Sequence, residues 1–306
     1  MKIAVMGAGA VGCYYGAMLA LAGHQVVLVG RPAFVEAVSE NGLVLEKEGK
    51  RLTVEVQAST DPAIVHGADV VLVCVKSGDT EHAGREIAPH LLATARVLSL
   101  QNGVSNARTL SAILGREVLP VVVYVASRMN GAGVVRHEGR GELELSEHGT
   151  SEVITLLNHA GIGTKASPDV LQSLWSKLIV NCAINPLSAL MRLPYGKMVE
   201  QDGIPHLMEG IALEALRVAE AEGVTVDLKV FDIIRSIPVT MAGQYSSTAQ
   251  DLMNGKLTEI DFLNGEVVRL AAKHGLDAPI NRTLTLLVKN AENAATGVTK
   301  LERGLL

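Results

Sequence analysis

Lys177, Asn181 and Asn185 recur at steps of four, on a segment whose apolar residues also keep helical spacing. Val170, Leu171, Leu174, Trp175, Leu178 and Cys182 form the apolar arc, and Lys177 lies at its border. A lysine and two amides beside a packed face are costly unless they face something polar. A bound carboxylate-bearing substrate would satisfy them. A partly desolvated lysine also has a lowered pKa and can exchange a proton near neutral pH. The chemistry implied is proton transfer to a small polar ligand. The bland alternative is a lysine snorkelling at the rim of a core helix, and spacing alone leaves both readings open.

A second constellation stands at the start of the chain. Lys2-Ile3-Ala4-Val5-Met6 reads as a strand and runs into Gly7-Ala8-Gly9-Ala10-Val11-Gly12, a G-x-G-x-x-G turn that opens a helix. This pattern suits the pyrophosphate of a dinucleotide, held on the free N–H groups of the helix N-terminus. A second strand, Gln25–Val29, follows at the expected distance and ends in Gly30-Arg31. An acid at that tip would hold the ribose 2′-hydroxyl of NAD. None is present, and Arg31 offers a donor fork suited to the 2′-phosphate of NADP. A solvated surface arginine is the alternative.

Several elements must position these groups. Ala68–Val75, Arg96–Leu100 and Val118–Val125 are apolar runs that read as buried parallel strands. With the first two they predict a doubly wound sheet. Val134–His137 and Glu142–Leu145, around Glu138-Gly139-Arg140-Gly141, read as a hairpin. A further strand ends near Lys165-Ala166. From Ser167-Pro168-Asp169, which reads as N-cap, first helical proline and first-turn acid, the pattern becomes helical. Pro186 should end that helix. Further helices are expected over residues 204–222, 258–274 and 281–295, with Thr258-x-x-Asp261 in capping-box form. The expected organisation is a dinucleotide-binding domain over 1–166 and an all-helical domain over 167–306.

Other candidates follow from placement. Asn102, in Gln101-Asn102-Gly103, and Lys76 stand at the carboxyl ends of two strands, where ligands bind in open α/β sheets. A turn-forming Asn-Gly and an exposed loop lysine are their plainer readings. Glu259 opens its helix, where an acid favours the macrodipole, and Ser246-Ser247 could be simple caps.

Composition narrows the classes. The 306 residues carry 27 basic and 32 acidic side chains, which gives no support to nucleic-acid binding. Cys13, Cys74 and Cys182 lie far apart in apolar contexts, as small core residues in a reducing compartment rather than a disulfide frame or metal site. Residues 1–22 superficially resemble a secretory signal. A single lysine in the n-region and the glycine spacing argue against that reading. No apolar run approaches membrane-spanning length, and a cytoplasmic protein is expected.

Two segments carry a family resemblance. SKLIVNCAINPL over Ser176–Leu187 and TEIDFLNG over Thr258–Gly265 closely resemble ketopantoate reductases (2-dehydropantoate 2-reductases). Ser246-Ser247 with Gln250-Asp251, and the Gln101-Asn102-Gly103 turn, fit as well, and the resemblance spans essentially the whole chain. It implies an α/β N-terminal Rossmann domain followed by an all-α domain of the 6-phosphogluconate dehydrogenase C-terminal type. It implies NADPH-dependent reduction of a 2-oxo acid, with Lys177 as the general acid. By the same resemblance, Asn181 and Asn185 hold the substrate's polar groups and Ser247 its carboxylate. Asn102 lies between nicotinamide and substrate. Glu259 orients the hydroxyl end of the substrate and touches the cofactor. Arg31 and Lys76 clamp the 2′-phosphate, and Ala126 lies along the cofactor. The site is then expected in the cleft between the domains.

The chain departs from the family once. Tyr195, in Leu193-Pro194-Tyr195-Gly196, stands where many members carry asparagine, a residue that serves the substrate's hydroxyl end. A tyrosine keeps a hydroxyl but takes more room. Three readings follow: a ketopantoate reductase, a sister reductase of another 2-oxo acid, and a non-catalytic NADPH-binding sensor. The expected partner is a small-molecule 2-oxo acid, with no nucleic acid, no membrane and no metal; a homodimer is left open.

Overall fold

The computed structural model describes residues 1–296. Residues 297–306, which the sequence assigns to the helical domain, lie outside the described part. Contacts divide the chain into two units, Met1–Val170 and Leu171 onward.

In the first unit, β1 (Lys2–Met6), β2 (Gln25–Val29), β5 (Gln57–Ser59), β6 (Val70–Val73), β7 (Arg96–Ser99) and β8 (Leu119–Pro120) form a parallel sheet in the order β5-β2-β1-β6-β7-β8. The order reverses between β1 and β6, which is where such sheets bind ligands at their carboxyl ends. A second sheet holds β3 (Leu43–Lys47), β4 (Lys50–Val54), β9 (Val122–Met129), β10 (Val134–Ser146) and β11 (Thr164–Ser167). The helices of this unit are α1 (Ala10–Leu21), α2 (Pro32–Asn41), α3 (Thr80–Ile87), α4 (Asn106–Leu114) and α5 (Ser151–His159).

Period-two alternation distributes the strands of the parallel sheet over two cores. Ile3, Val5, Val26, Leu28 and Leu72 pack with α1 and the second sheet. Ala4, Met6, Val27, Val29 and Val71 pack on the other face with Ile87 of α3 and Leu110 of α4. Helix α1 touches strands of both sheets, and its residues Gly12–Leu19 are buried. A helix covered on all sides needs no polar face, which is why residues 1–22 mimic a secretory signal.

Two expectations in this unit are corrected. The run Val118–Val125 is not one strand: β8 closes the parallel sheet and β9 enters the second. The Gly139/Gly141 segment is not a turn. Strand β10 runs unbroken through it, antiparallel to β9, with register shifts between His137 and Gly139 and between Arg140 and Glu142. Glycine preference marks bulges as readily as turns.

The second unit is helical: α6 (Val170–Met191), α7 (Tyr195–Val199), α8 (Ile204–Ala221), α9 (Val230–Thr240), α10 (Ser247–Met253), α11 (Asn264–Lys273) and α12 (Pro279–Thr296). Ser167 belongs to β11, so α6 starts later than the Ser-Pro-Asp motif suggests. The expected helix over 258–274 is a short 3-10 turn, Ile260–Phe262, followed by α11. Asp261 does not close a capping box: it pairs with Lys289 on α12. Helix α6 does not stop at Pro186 but continues to Met191.

Candidate active site

In the Rossmann-like unit, the glycine turn leaves a bare cradle. Gly7 has φ 109°, and a Cβ there would lie 2.7 Å from the Val75 nitrogen. A Cβ on Gly12 would lie 2.2 Å from the Gly7 carbonyl oxygen. Both glycines are forced by close packing of helix on strand. Gly9 differs: nothing lies within 4 Å of its Cβ position. It is the N-cap of α1, with no side-chain cap and no acid in the first turn. The first N–H groups of α1 are therefore not claimed by a capping side chain, and the cradle fits a dinucleotide pyrophosphate.

Three other candidates of this unit follow the carboxyl ends of strands in the same parallel sheet. Arg31 is exposed and serves as N-cap position of α2, directly after β2. Lys76 is exposed after β6, and Asn102 is half-buried after β7. Strands β2 and β6 flank β1, so their ends are about 10 Å apart. Two long cationic side chains can span that gap. Ala126 is half-buried on β9, opposite Gly139.

In the helical unit, Lys177 and Asn181 are half-buried on α6, and Asn185 is buried. Pro186 removes the N–H that would have bonded the Cys182 carbonyl. Asn264, fully buried, replaces it: its Nδ2 donates to the Cys182 oxygen at 3.1 Å and to Asn281 Oδ1 at 3.0 Å. Asn281 in turn donates from Nδ2 to Glu214 Oε2 at 2.8 Å and to the Ile211 carbonyl at 3.2 Å. Glu214 receives the backbone N–H groups of Ile280 and Asn281, each at 2.9 Å, and so caps α12. The TEIDFLNG and SKLIVNCAINPL segments thus meet through a buried polar chain.

Asn264→Leu would leave the Cys182 and Asn281 acceptors buried without this donor. A loss of about 3 kcal/mol in urea unfolding is expected. An unchanged midpoint would show that Asn264 does not carry the break.

Ser246 ties a third segment to α6. Its Oγ donates to the Asn185 carbonyl at 3.0 Å and accepts the Ala249 N–H at 3.0 Å. Its backbone N–H reaches Ser188 Oγ at 3.3 Å. Ser247, exposed, is the first residue of α10. Glu259 is half-buried, beside Thr258, whose N–H and hydroxyl both donate to the buried Glu292 on α12, at 2.7 and 2.5 Å. Tyr195 starts α7 and donates its N–H to the Gln244 carbonyl at 2.9 Å. Burial pushes its phenol up to about 12, so it is neutral at physiological pH.

Sequence reasoning assigned no role to Asn264, Glu292 or Ser246's grip on α6. Each acts over a long chain separation, and only for Asn264, an amide inside the TEIDFLNG segment, did the sequence carry a signal. The three cysteines are free, and burial raises every one of their thiols. Among the described residues, no helix is long and apolar enough to cross a membrane.

A Rossmann-like unit with a bare glycine cradle, in one chain with a helical unit built around a lysine–asparagine helix, defines a two-domain oxidoreductase of the dinucleotide-linked class. Residues 3–150 match the family model described as ketopantoate reductase PanE/ApbA, and residues 169–292 match that of its C-terminal part. The chain belongs to the ketopantoate reductase PanE/ApbA family. It is similar to a 2-dehydropantoate 2-reductase of Halobacterium salinarum, 35% identical over 305 residues, with 95% of this chain and 99% of that protein covered. A PanE/ApbA family ketopantoate reductase from Ralstonia eutropha JMP134 has a crystal structure similar to this one, with TM-score 0.93, 49% identity, and 96% and 99% of the two chains covered. The ternary structure of D-mandelate dehydrogenase with NADH and anilino(oxo)acetate matches with TM-score 0.91 at 26% identity, over 96% and 99% of the chains.

Proposed function

We propose that this chain reduces 2-dehydropantoate to its 2-hydroxy acid with NADPH. The observation that supports this most is the wiring of the helical unit. The lysine–asparagine helix, the Ser246-Ser247 segment and the TEIDFLNG segment are held together by Ser246 on Asn185 and by Asn264 on Cys182. The absence of an acid after β2, with Arg31 in its place, favours the phosphorylated dinucleotide.

When bound, reduced nicotinamide supplies a hydride for the carbonyl carbon. Lys177 holds the proton that completes the alcohol and gives it to the carbonyl oxygen; before transfer, its charge stabilises the developing alkoxide. Asn181 and Asn185 orient the substrate's polar groups, and Ser247 binds its carboxylate. Asn102 orients nicotinamide against substrate, and Glu259 orients the substrate's hydroxyl end and contacts the cofactor. Gly7, Ala8, Gly9, Ala10, Val11 and Gly12 receive the pyrophosphate, Arg31 and Lys76 the 2′-phosphate, and Ala126 borders the cofactor. The activity belongs in the cytoplasm, where free cysteines stay reduced.

Tyr195 favours a second reading. A large, mostly apolar ring stands where a compact amide is expected, next to the segment that leads into Ser246. That ring leaves less room and a more apolar surface, which suits a different 2-oxo acid with a flat or compact apolar tail. NADPH oxidation with 2-dehydropantoate and a panel of aliphatic and aryl 2-oxo acids separates the readings. Fast turnover on 2-dehydropantoate, with NADPH preferred over NADH by about tenfold or more, is the expected result. Turnover confined to an aryl 2-oxo acid would establish the second reading. No turnover with NADPH bound would reject both.

A further inference from the structure

The carboxyl ends of β6 and β7 carry a cluster of buried polar side chains to which the reaction assigns no part. Ser77, Thr80, Ser99, Gln101 and Asn106 are all at least nine-tenths buried. Gln101 Nε2 donates to the Val75 carbonyl at 3.1 Å and to Thr80 Oγ1 at 2.7 Å. Its Oε1 accepts from Ser99 Oγ at 2.9 Å. Thr80 Oγ1 lies 2.8 Å from the Ser77 carbonyl and 2.9 Å from Asn106 Oδ1, so its one proton serves either acceptor. Asn106 Nδ2 donates to the Asn102 carbonyl at 2.6 Å and to Ser77 Oγ at 3.1 Å, and Ser77 Oγ donates to the same Asn102 carbonyl at 3.0 Å.

Two features make this more than a satisfied core. First, the amide orientations are fixed, because Asn106 and Gln101 each face a carbonyl that can only accept. Second, every backbone group it grips lies on the sheet's ligand-binding edge. The Val75 carbonyl belongs to the residue whose nitrogen and side chain abut Gly7, and the Asn102 carbonyl belongs to the turn after β7. Apolar side chains could fill the same volume. A fully connected polar cluster holds one loop arrangement against its alternatives.

We propose that Asn106, backed by Thr80 and Gln101, is a positioning residue that locks the Asn102 turn to the Val75–Ser77 turn and so presents the surface for the nicotinamide half of the cofactor. The inference rests on the functional reading above. Arg31 after β2 serves the adenosine half, so the β6–β7 side is left for the other half.

The test compares two ligands, NADPH and 2′,5′-ADP, which carries the adenosine 2′-phosphate but no nicotinamide. Asn106→Asp keeps size and the acceptor for Thr80 but loses both donated bonds. Its dissociation constant for NADPH should rise about tenfold while that for 2′,5′-ADP stays within about twofold. Thr80→Val should move in the same direction and Thr80→Ser should restore wild-type behaviour, which keeps the test valid if Asn106→Asp does not fold. Equal weakening of both ligands, or a lowered melting temperature with both affinities unchanged, would overturn the proposal alone. Wild-type protein that binds neither ligand would overturn the functional reading together with it.

Discussion

Replacing Lys177 by alanine should lower kcat on the 2-oxo acid by about 10²–10⁴-fold, the range expected if the proposed general acid is lost, while NADPH should bind as it does to the wild type. The lysine stands on α6 in line with Asn181 and Asn185, half-buried at the edge of the core formed by Leu174, Trp175 and Leu178. Removing it leaves that core intact, so stability should change little. Lys177→Arg is the sharper variant. It keeps a positive charge beside the carbonyl, but a guanidinium does not release a proton at any working pH. Turnover should fall in both variants, with arginine retaining more substrate affinity than alanine. Steady-state kinetics with a parallel NADPH titration reads both quantities. Turnover unchanged in Lys177→Ala would move the proton donor to another group.

Gly12→Ala and Gly9→Ala should part company in the second large effect. At Gly12 the added carbon meets the Gly7 carbonyl oxygen at 2.2 Å and a Val5 methyl at 2.8 Å. Backbone cannot yield as a side-chain end can, so helix α1 must shift away from β1. A loss of about 3 kcal/mol is expected, at the upper end for overpacking, and dinucleotide binding goes with it. At Gly9 the φ of −85° is ordinary for any residue, and the added methyl meets no protein atom within 4 Å. Stability should hold within about 0.5 kcal/mol. The methyl instead enters the space proposed for the pyrophosphate, so NADPH affinity should drop by tenfold or more. Denaturation curves and NADPH titrations on both variants check the pair. Equal destabilisation at the two positions would contradict the geometry.

The parts of this molecule that were legible in the sequence are those set by neighbours in the chain. Strand β1, the glycine turn and strand β2 follow from a local pattern, and so do the switch to helical period after β11 and the amphipathic α8. What was misread depends on partners far away. The glycines at 139 and 141 signal a departure from regular strand, but whether that departure is a turn or a bulge is decided by β9 pairing alongside. Pro186 signals a helix end by local rules, and a side chain from another helix overrides them. Residues 43–59 carry three strands that periodicity left unassigned, because β3 and β4 are short and partly charged and β5 has only three residues. For the site, residue types and spacing singled out Lys177, Asn181 and Asn185 as candidates, while the family resemblance supplied the roles proposed for them. The cluster behind Asn102 escaped both except for Gln101, which was named only as part of its turn, since its members come from stretches that only the sheet brings together.

The proline in α6 also has a consequence for how the molecule is made. The helix that carries Lys177 and both amides cannot complete its bonding from its own residues, because the donor to its Cys182 carbonyl is Asn264, 82 positions later in the chain. Synthesis reaches Lys177 long before it reaches that donor. A chain cut before α11 lacks this donor, so the middle of the helix, between Lys177 and Asn185, is left without the bond that replaces the one lost at Pro186. Fragments ending before α11 should be inert rather than weakly active.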